Sequence, residues 1–194
     1  MNIFYLHDDP VTCAKMHCDK HVVKMIVEYA QLLSTAHHVC DGEPKIRCYK
    51  ATHKNHPSAV WARANKHNYN WLHSLLVATA EEYTHRYKKI HATQREGIMD
   101  NLKNLPVAIS ENTSLDEFRT DMPQCMPIEY KRSDAIAAYR MYYVKDKERF
   151  AKWKEREAPS WFTEGVHQKY FVNPLKDFVS PLKNLGFNLP PKSI

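Results

Sequence analysis

Glycine is scarce in this chain, with 4 in 194 residues. So few left-handed turn positions argue against a turn-dense all-β fold and against glycine-rich phosphate loops. Neither GxGxxG nor GxxxxGK[ST] occurs, which sets aside the nucleotide-binding fingerprints. HExxH and GxSxG are also missing, so a zincin helix and a hydrolase nucleophile elbow are not expected. No apolar run reaches the roughly eighteen residues of a membrane span. The cysteines, Cys13, Cys18, Cys40, Cys48 and Cys125, are odd in number and form no CxxC pair. The opening MNIFYLHDDP is too short and acidic for a secretory signal. These features lead to the expectation of free thiols in a reducing, cytoplasmic setting. Acid is the minority charge: 22 Asp and Glu against 28 Lys and Arg, a net of +6 besides 12 His. This balance favours a polyanionic partner.

Hydrophobic residues make up 43% of the chain, enough for a sizeable core. The periodicity predicts a mainly α, compact single domain over residues 1–194, with long irregular loops and a Pro-rich tail at 158–194 that wraps the surface. Asn2 to Leu6 reads as a short strand or an extended arm, and Asp8 or Asp9 before Pro10 as a helix start. One long helix is expected from about 10 to 38, a second from 58 to about 91, a short one over 93–102 and a third from 133 to 157. Residues 105–132 read as irregular, punctuated by Pro106, Pro123 and Pro127.

The first helix carries the sharpest signal. At about 100° per residue, Val22, Ile26, Tyr29 and Leu33 form an apolar face. Beside it run Cys13, His17, His21, Lys24, Glu28, Gln31 and Thr35. An acid, two imidazoles and an amine in file at a core boundary suit general acid–base or imine chemistry. They equally suit a satisfied polar seam between packed helices, in which Lys24 and Glu28 are an ordinary i,i+4 pair. Two rival site readings stay open. Cys13, His17 and His21 recur at i, i+4 and i+8, a zinc-like set whose third member diverges along a straight helix. Cys18 beside His17 and His21 could serve as a thiol nucleophile.

Aromatic and basic residues are interleaved elsewhere, as in HRYKKIH, which contains Arg86 and Lys88, and across the third helix, which holds Arg140. Rings stack on bases while cations hold phosphates. His56 falls in a basic loop and reads as a nucleic-acid contact. A noncatalytic nucleic-acid-binding protein is therefore a third reading.

The segment CDKHVVKMIVEYAQLL resembles the active-site helix of the endonuclease V-type pyrimidine-dimer DNA glycosylases: Asp19-x-His21, then Glu28 seven residues on. NHPSAVW and NYNWLHSLLVATAEEY are similar to that family's second helix, with His56, Trp71, Leu72 and Glu81 or Glu82 at its marked positions. REAPSWF resembles its Arg-Pro-x-aromatic segment through Arg156, Pro159, Trp161 and Phe162. The resemblance implies a compact helical fold that binds damaged duplex DNA, excises a base through an imine to the sugar and goes on to lyase chemistry. It implies a terminal α-amine as nucleophile and Glu28 as the group that stabilises the sugar cation. Residue 2 is Asn, a large side chain before which Met is expected to stay. The amine is then that of Met1, with Lys24 as the other candidate. An α-amine, with a reference pKa of about 7.7–8.0, is more readily unprotonated than a lysine at about 10.4. On this reading His21 lines the site, and Arg156, Trp161 and Phe162 join His56, Arg86, Lys88 and Arg140 on the DNA. No cofactor or metal is expected, no membrane association, and a monomeric state.

Overall fold

A computed structural model of the chain describes residues 1–111 and 118–171. Among these the fold is mainly α, without a β-strand. No described helix is long and apolar enough to cross a membrane.

The chain opens as an extended arm. Ile3, Phe4, Tyr5 and Leu6 are all buried, yet they form no ladder, because side chains satisfy their polar backbone atoms. The Cys13 thiol donates to the Phe4 carbonyl and accepts from Leu6 N–H, and Arg140 Nε donates to the Leu6 carbonyl. The expected helix over 10–38 is two helices, α1 (Pro10–Met16) and α2 (Asp19–Cys40). Asp9 caps α1 by accepting from Thr12 N–H, with Pro10 in the first turn. At the far end the His17 ring bonds the Cys13 carbonyl through Nδ1 at 2.7 Å. A side chain that takes a terminal carbonyl competes with the next helical turn. His17 and Cys18 are extended, and α2 restarts at Asp19. Cys13 therefore leaves the file in which the sequence placed it with His21, Lys24 and Glu28.

The expected second helix is likewise α3 (Pro57–Ala62) and α4 (Lys66–Tyr87), divided where Asn65 turns extended to cap α4 through Asn68 N–H. The short helix region is α5 (Ala92–Arg95) and α6 (Ile98–Asn101), followed by α7 (Val107–Ser110). The third long helix is shorter than its periodicity suggests. Helix α8 (Ala135–Tyr142) passes into a π turn (Tyr143–Lys147) and a 3-10 turn (Glu148–Phe150), after which the chain is irregular to α9 (Ser160–Phe171). That irregular stretch is held by contacts which compete with helix formation. The Lys152 carbonyl accepts from Asp19 N–H, Trp153 Nε1 donates to the Met16 carbonyl, and Lys154 N–H donates to the Asp19 carboxylate. Of the expected surface-wrapping tail, residues 160–171 are helical, and residues 172–194 lie outside the described residues.

Helices α1 and α2 both pack on α4, and α2 and α4 are the central pair. One hydrophobic core runs from Ile3 through Tyr29, Leu33, Leu72 and Leu76 to Tyr139, Tyr143 and Phe162. Gly165 lets α9 approach the π turn: a Cβ there would lie 2.8 Å from Val144 Cγ2.

Candidate active site

The N-terminal half of α2, the arm and the segment from the end of α8 through the π and 3-10 turns line a cleft of about 430 Å³. Met1, Asn2 and Phe4 line one side. Lys20, His21, Lys24 and Glu28 come from α2, and Cys125, Tyr142, Lys147 and Phe150 close it from the second half of the chain.

Glu28 is the junction of the cleft. Its Oε1 lies 2.9 Å from Lys24 Nζ, and its Oε2 accepts from the backbone N–H of Asn2 at 3.2 Å. Asn2 is itself pegged in place. Its Nδ2 donates to the Cys125 carbonyl at 2.8 Å, and its Oδ1 accepts from Tyr139 Oη at 2.8 Å and from Ile3 N–H. The start of the chain is thereby fixed against a carboxylate. The Met1 amine is close enough to His56 that its charge helps lower that imidazole's pKa, after burial as the larger cause. His56 also caps α3, its Nδ1 accepting from Ser58 N–H.

His21 is buried, its ring stacked on Phe4 with centroids 4.1 Å apart and its Nδ1 hydrogen-bonded to the Tyr143 hydroxyl. Burial pushes its pKa down to about 2, with His17, Lys147 and Lys24 acting in the same direction. The ring is therefore neutral at physiological pH. With Nδ1 engaged, Nε2 is the nitrogen left for a ligand. His17, behind it, bridges the Cys13 carbonyl and Tyr29 Oη, and burial lowers its pKa to about 4. His17 is thus part of the satisfied polar seam, whereas His21 and Glu28 reach the cleft.

The rim is cationic. Lys20 lies over the Phe150 ring at 4.8 Å, and Lys147 lies over Tyr142 at 4.1 Å while donating to its hydroxyl. Three lysines around one carboxylate on aromatic walls suit an anionic ligand with flat rings.

The remaining expected contacts fare differently. Arg86 is not a surface cation. It is fully buried, paired with Glu82 at 2.7 Å and Asp19 at 2.9 Å, and bonded to the Lys15 carbonyl. Arg156 takes both oxygens of the same Glu82. Asp19, Glu82, Arg86 and Arg156 thus form one ionic knot that ties the α1–α2 junction to α4 and the 151–159 strap. Phe162 is buried against Trp153 at 4.7 Å, which makes it a core residue. Trp161 sits edge-on to Tyr143, with Arg140 over its ring at 5.4 Å. Trp71 reaches the Asp8 carbonyl through Nε1, Leu72 is core and Glu81 is exposed. Lys88 is exposed at the left-handed C-cap of α4 (φ 55°) and does not line the cleft.

The rival readings find less support. Burial raises the Cys13 thiol to about 12 and also raises Cys18, the wrong direction for a thiolate nucleophile. Among the described residues, no three His, Cys, Asp or Glu side chains are grouped so as to hold a metal ion. All five cysteines are free. Sequence reasoning missed Asn2, Lys20, Tyr143 and Lys147 as site residues. Only Asn2, next to the family's amine position, carried a local signal.

Comparison with curated proteins and with solved structures found no match to the chain. Residues 1–95, which span the arm, Asp19, His21, Glu28, His56 and Glu82, match the family model described as pyrimidine dimer DNA glycosylase.

Proposed function

We propose that this protein is a DNA glycosylase that excises pyrimidine dimers from duplex DNA, using an amine at the chain start as nucleophile and Glu28 as the acid–base group. The observation that carries the reading is the hydrogen bond from Asn2 N–H to Glu28 Oε2, which fixes the chain start at the carboxylate. The match over residues 1–95 supports the substrate class.

The amine attacks C1′ of the deoxyribose. The glycosidic C–N bond breaks, and its electron pair leaves with the base, which gains a proton. The amine loses a proton, the C1′–O4′ bond opens with a proton to O4′, and an imine links protein and sugar. Positive charge develops at C1′ during departure, and a carboxylate held in a part-buried cleft stabilises it without reorganisation. Glu28 is then placed to relay the proton from the attacking amine. His21, neutral, offers an Nε2 hydrogen bond to the sugar, and Lys20, Lys24 and Lys147 hold flanking phosphates. Loss of a C2′ proton from the imine would expel the 3′ phosphate, completing a lyase step on the same site.

On this reading Met1 supplies the α-amine. Its loss would turn the nitrogen 3.2 Å from Glu28 into that amine. Reduction with borohydride during turnover on a dimer-containing duplex should leave a covalent protein–DNA adduct. Peptide mapping should place that adduct on the N-terminal peptide, beginning at Met1 or Asn2. An adduct on the Lys24 peptide would move the nucleophile to Lys24. The absence of both adduct and excision would refute the glycosylase reading.

A further inference from the structure

Ile128 is 78% exposed, the most exposed large apolar side chain among the described residues. Its setting is built rather than loose. Residues 124 and 132 clasp each other: Gln124 Nε2 donates to the Arg132 carbonyl at 2.6 Å, and Arg132 N–H donates to Gln124 Oε1 at 3.0 Å. Between them the chain makes a 3-10 turn (Ile128–Tyr130) behind Pro127. The Arg132 guanidinium binds the carbonyls of Glu129 and Lys131, stiffening the turn from within.

The loop is also anchored to the cleft. Met126 is buried in the core. Cys125 lines the cleft, and its carbonyl holds Asn2. Tyr130 packs on Tyr142, a wall residue, with ring centroids 5.3 Å apart, and its hydroxyl donates to Asp146 at 3.1 Å. The turn thus springs from Cys125, a wall residue, returns to the wall where Tyr130 packs on Tyr142, and presents one bare apolar side chain between these two anchors. Glu129 on the same turn is exposed and acidic, with Lys131 and Arg132 exposed beyond it. The turn as a whole is therefore weakly cationic and does not bind by charge alone.

We infer that Ile128 is a wedge that enters the base stack of duplex DNA beside the lesion, opening the step so that the sugar can reach Glu28. This rests on the glycosylase reading above. Branched apolar side chains inserted between base pairs unstack them and kink the duplex, and the cost falls when the step is already weakened. A cleft of about 430 Å³ has no room for an intact base pair and its neighbours. Some group must therefore part the stack, and Ile128, the most exposed large apolar side chain among the described residues, sits on a turn anchored to the cleft wall at Cys125 and Tyr142.

The test uses the full chain and two dimer-containing duplexes. One is fully paired, and the other carries a mismatch opposite the dimer. 2-Aminopurine beside the lesion reports unstacking. Wild-type protein should brighten the probe and excise from both duplexes. Ile128→Ser should lose the brightening on paired DNA and lower kcat/KM there by about tenfold, while staying within about twofold of wild type on mismatched DNA. Ile128→Leu should restore both. At 78% exposure the serine variant is expected to fold, which circular dichroism checks. Undiminished brightening and rate in Ile128→Ser, or an equal loss on both duplexes, would overturn the wedge while leaving the glycosylase reading standing. Wild-type protein that excises from neither duplex would remove that reading and the wedge with it.

Discussion

Asn2 N–H donates to Glu28 Oε2 at 3.2 Å across 26 positions of sequence. The bond depends on an arm that crosses the core in extended form and on a helix that begins afresh at Asp19. Had α1 and α2 been one helix, as periodicity alone suggests, the His17 ring could not turn back to cap α1. A local event, the His17 ring on the Cys13 carbonyl, and a long-range one, the peg of Asn2 on Cys125 and Tyr139, thus place the chain start at a carboxylate.

Glu28→Gln keeps the shape of this junction and removes its charge. Excision should fall by at least about a hundredfold, the scale of a lost acid–base or charge-stabilising group. DNA affinity should be largely retained. The stability cost should be small, about 0.3–0.5 kcal/mol, because Lys24 is 70% exposed and the pair is an i,i+4 bridge. Single-turnover excision together with an equilibrium binding assay separates the two effects, and wild-type excision by the variant would remove Glu28 from the chemistry.

Tyr143→Phe tests a positioning residue. The Tyr143 hydroxyl is the hydrogen-bond partner of His21 Nδ1, and the ring is fully buried. Without it the imidazole is free to rotate on Phe4. One lost hydrogen bond, about 1 kcal/mol, predicts kcat lowered by roughly fivefold with KM changed little. A rise in KM alone would show that Tyr143 shapes binding rather than the orientation of His21.

The helical class was legible from the 3.6-residue pattern of Val22, Ile26, Tyr29 and Leu33, and all four are buried on α2. His21, Lys24 and Glu28 were legible as a group because helical spacing alone relates them, whereas Asp19, which entered through the family resemblance, serves the ionic knot with Arg86. The breaks at His17 and Asn65 were not, since they depend on where a side chain finds a backbone partner. Arg86 read as a phosphate contact because a cation at a helix C-terminus is ordinarily solvated. Its burial depends on Asp19, 67 positions away. Lys147 reaches the cleft at the end of a π turn, which shifts its register from that of an α-helix, and Tyr143 acts from behind the wall through His21. No local pattern in the sequence announces that turn.

Acid should destabilise the fold from about pH 6.5 downward through its buried imidazoles. The folded chain holds His17 neutral, with a pKa near 4 set by burial, whereas an unfolded histidine protonates near 6.5. The unfolded state therefore takes up the extra proton as pH falls. This contribution is complete above about pH 6.5 and is lost progressively toward pH 4, on the order of 3 kcal/mol in all. Urea midpoints should drop over that window, and the drop should shrink in His17→Gln. Ring-carbon NMR should show His17 and His21 still neutral at pH 5. A normal titration near 6.5 for either would contradict the burial that the structure assigns it.

The ionic knot and the lysine rim make opposite predictions for DNA binding. Arg86 is fully buried between Glu82 and Asp19. Replacing it with Met leaves two carboxylates short of a partner in a poorly solvated place, a loss of about 3–5 kcal/mol. For a protein of this size that lowers Tm on the order of 10 °C. Arg86 meets no solvent, so it neutralises no phosphate, and the slope of log affinity against log salt should not change, measured well below the melting temperature. Lys147 stands on the cleft wall with its amine over Tyr142. Lys147→Met should spare Tm and reduce the salt slope by about one, the release of roughly one phosphate counterion. The two variants together separate fold from contact. A reduced salt slope with unchanged Tm in Arg86→Met would place Arg86 on the DNA. An unchanged slope in Lys147→Met would take that lysine off the phosphate path.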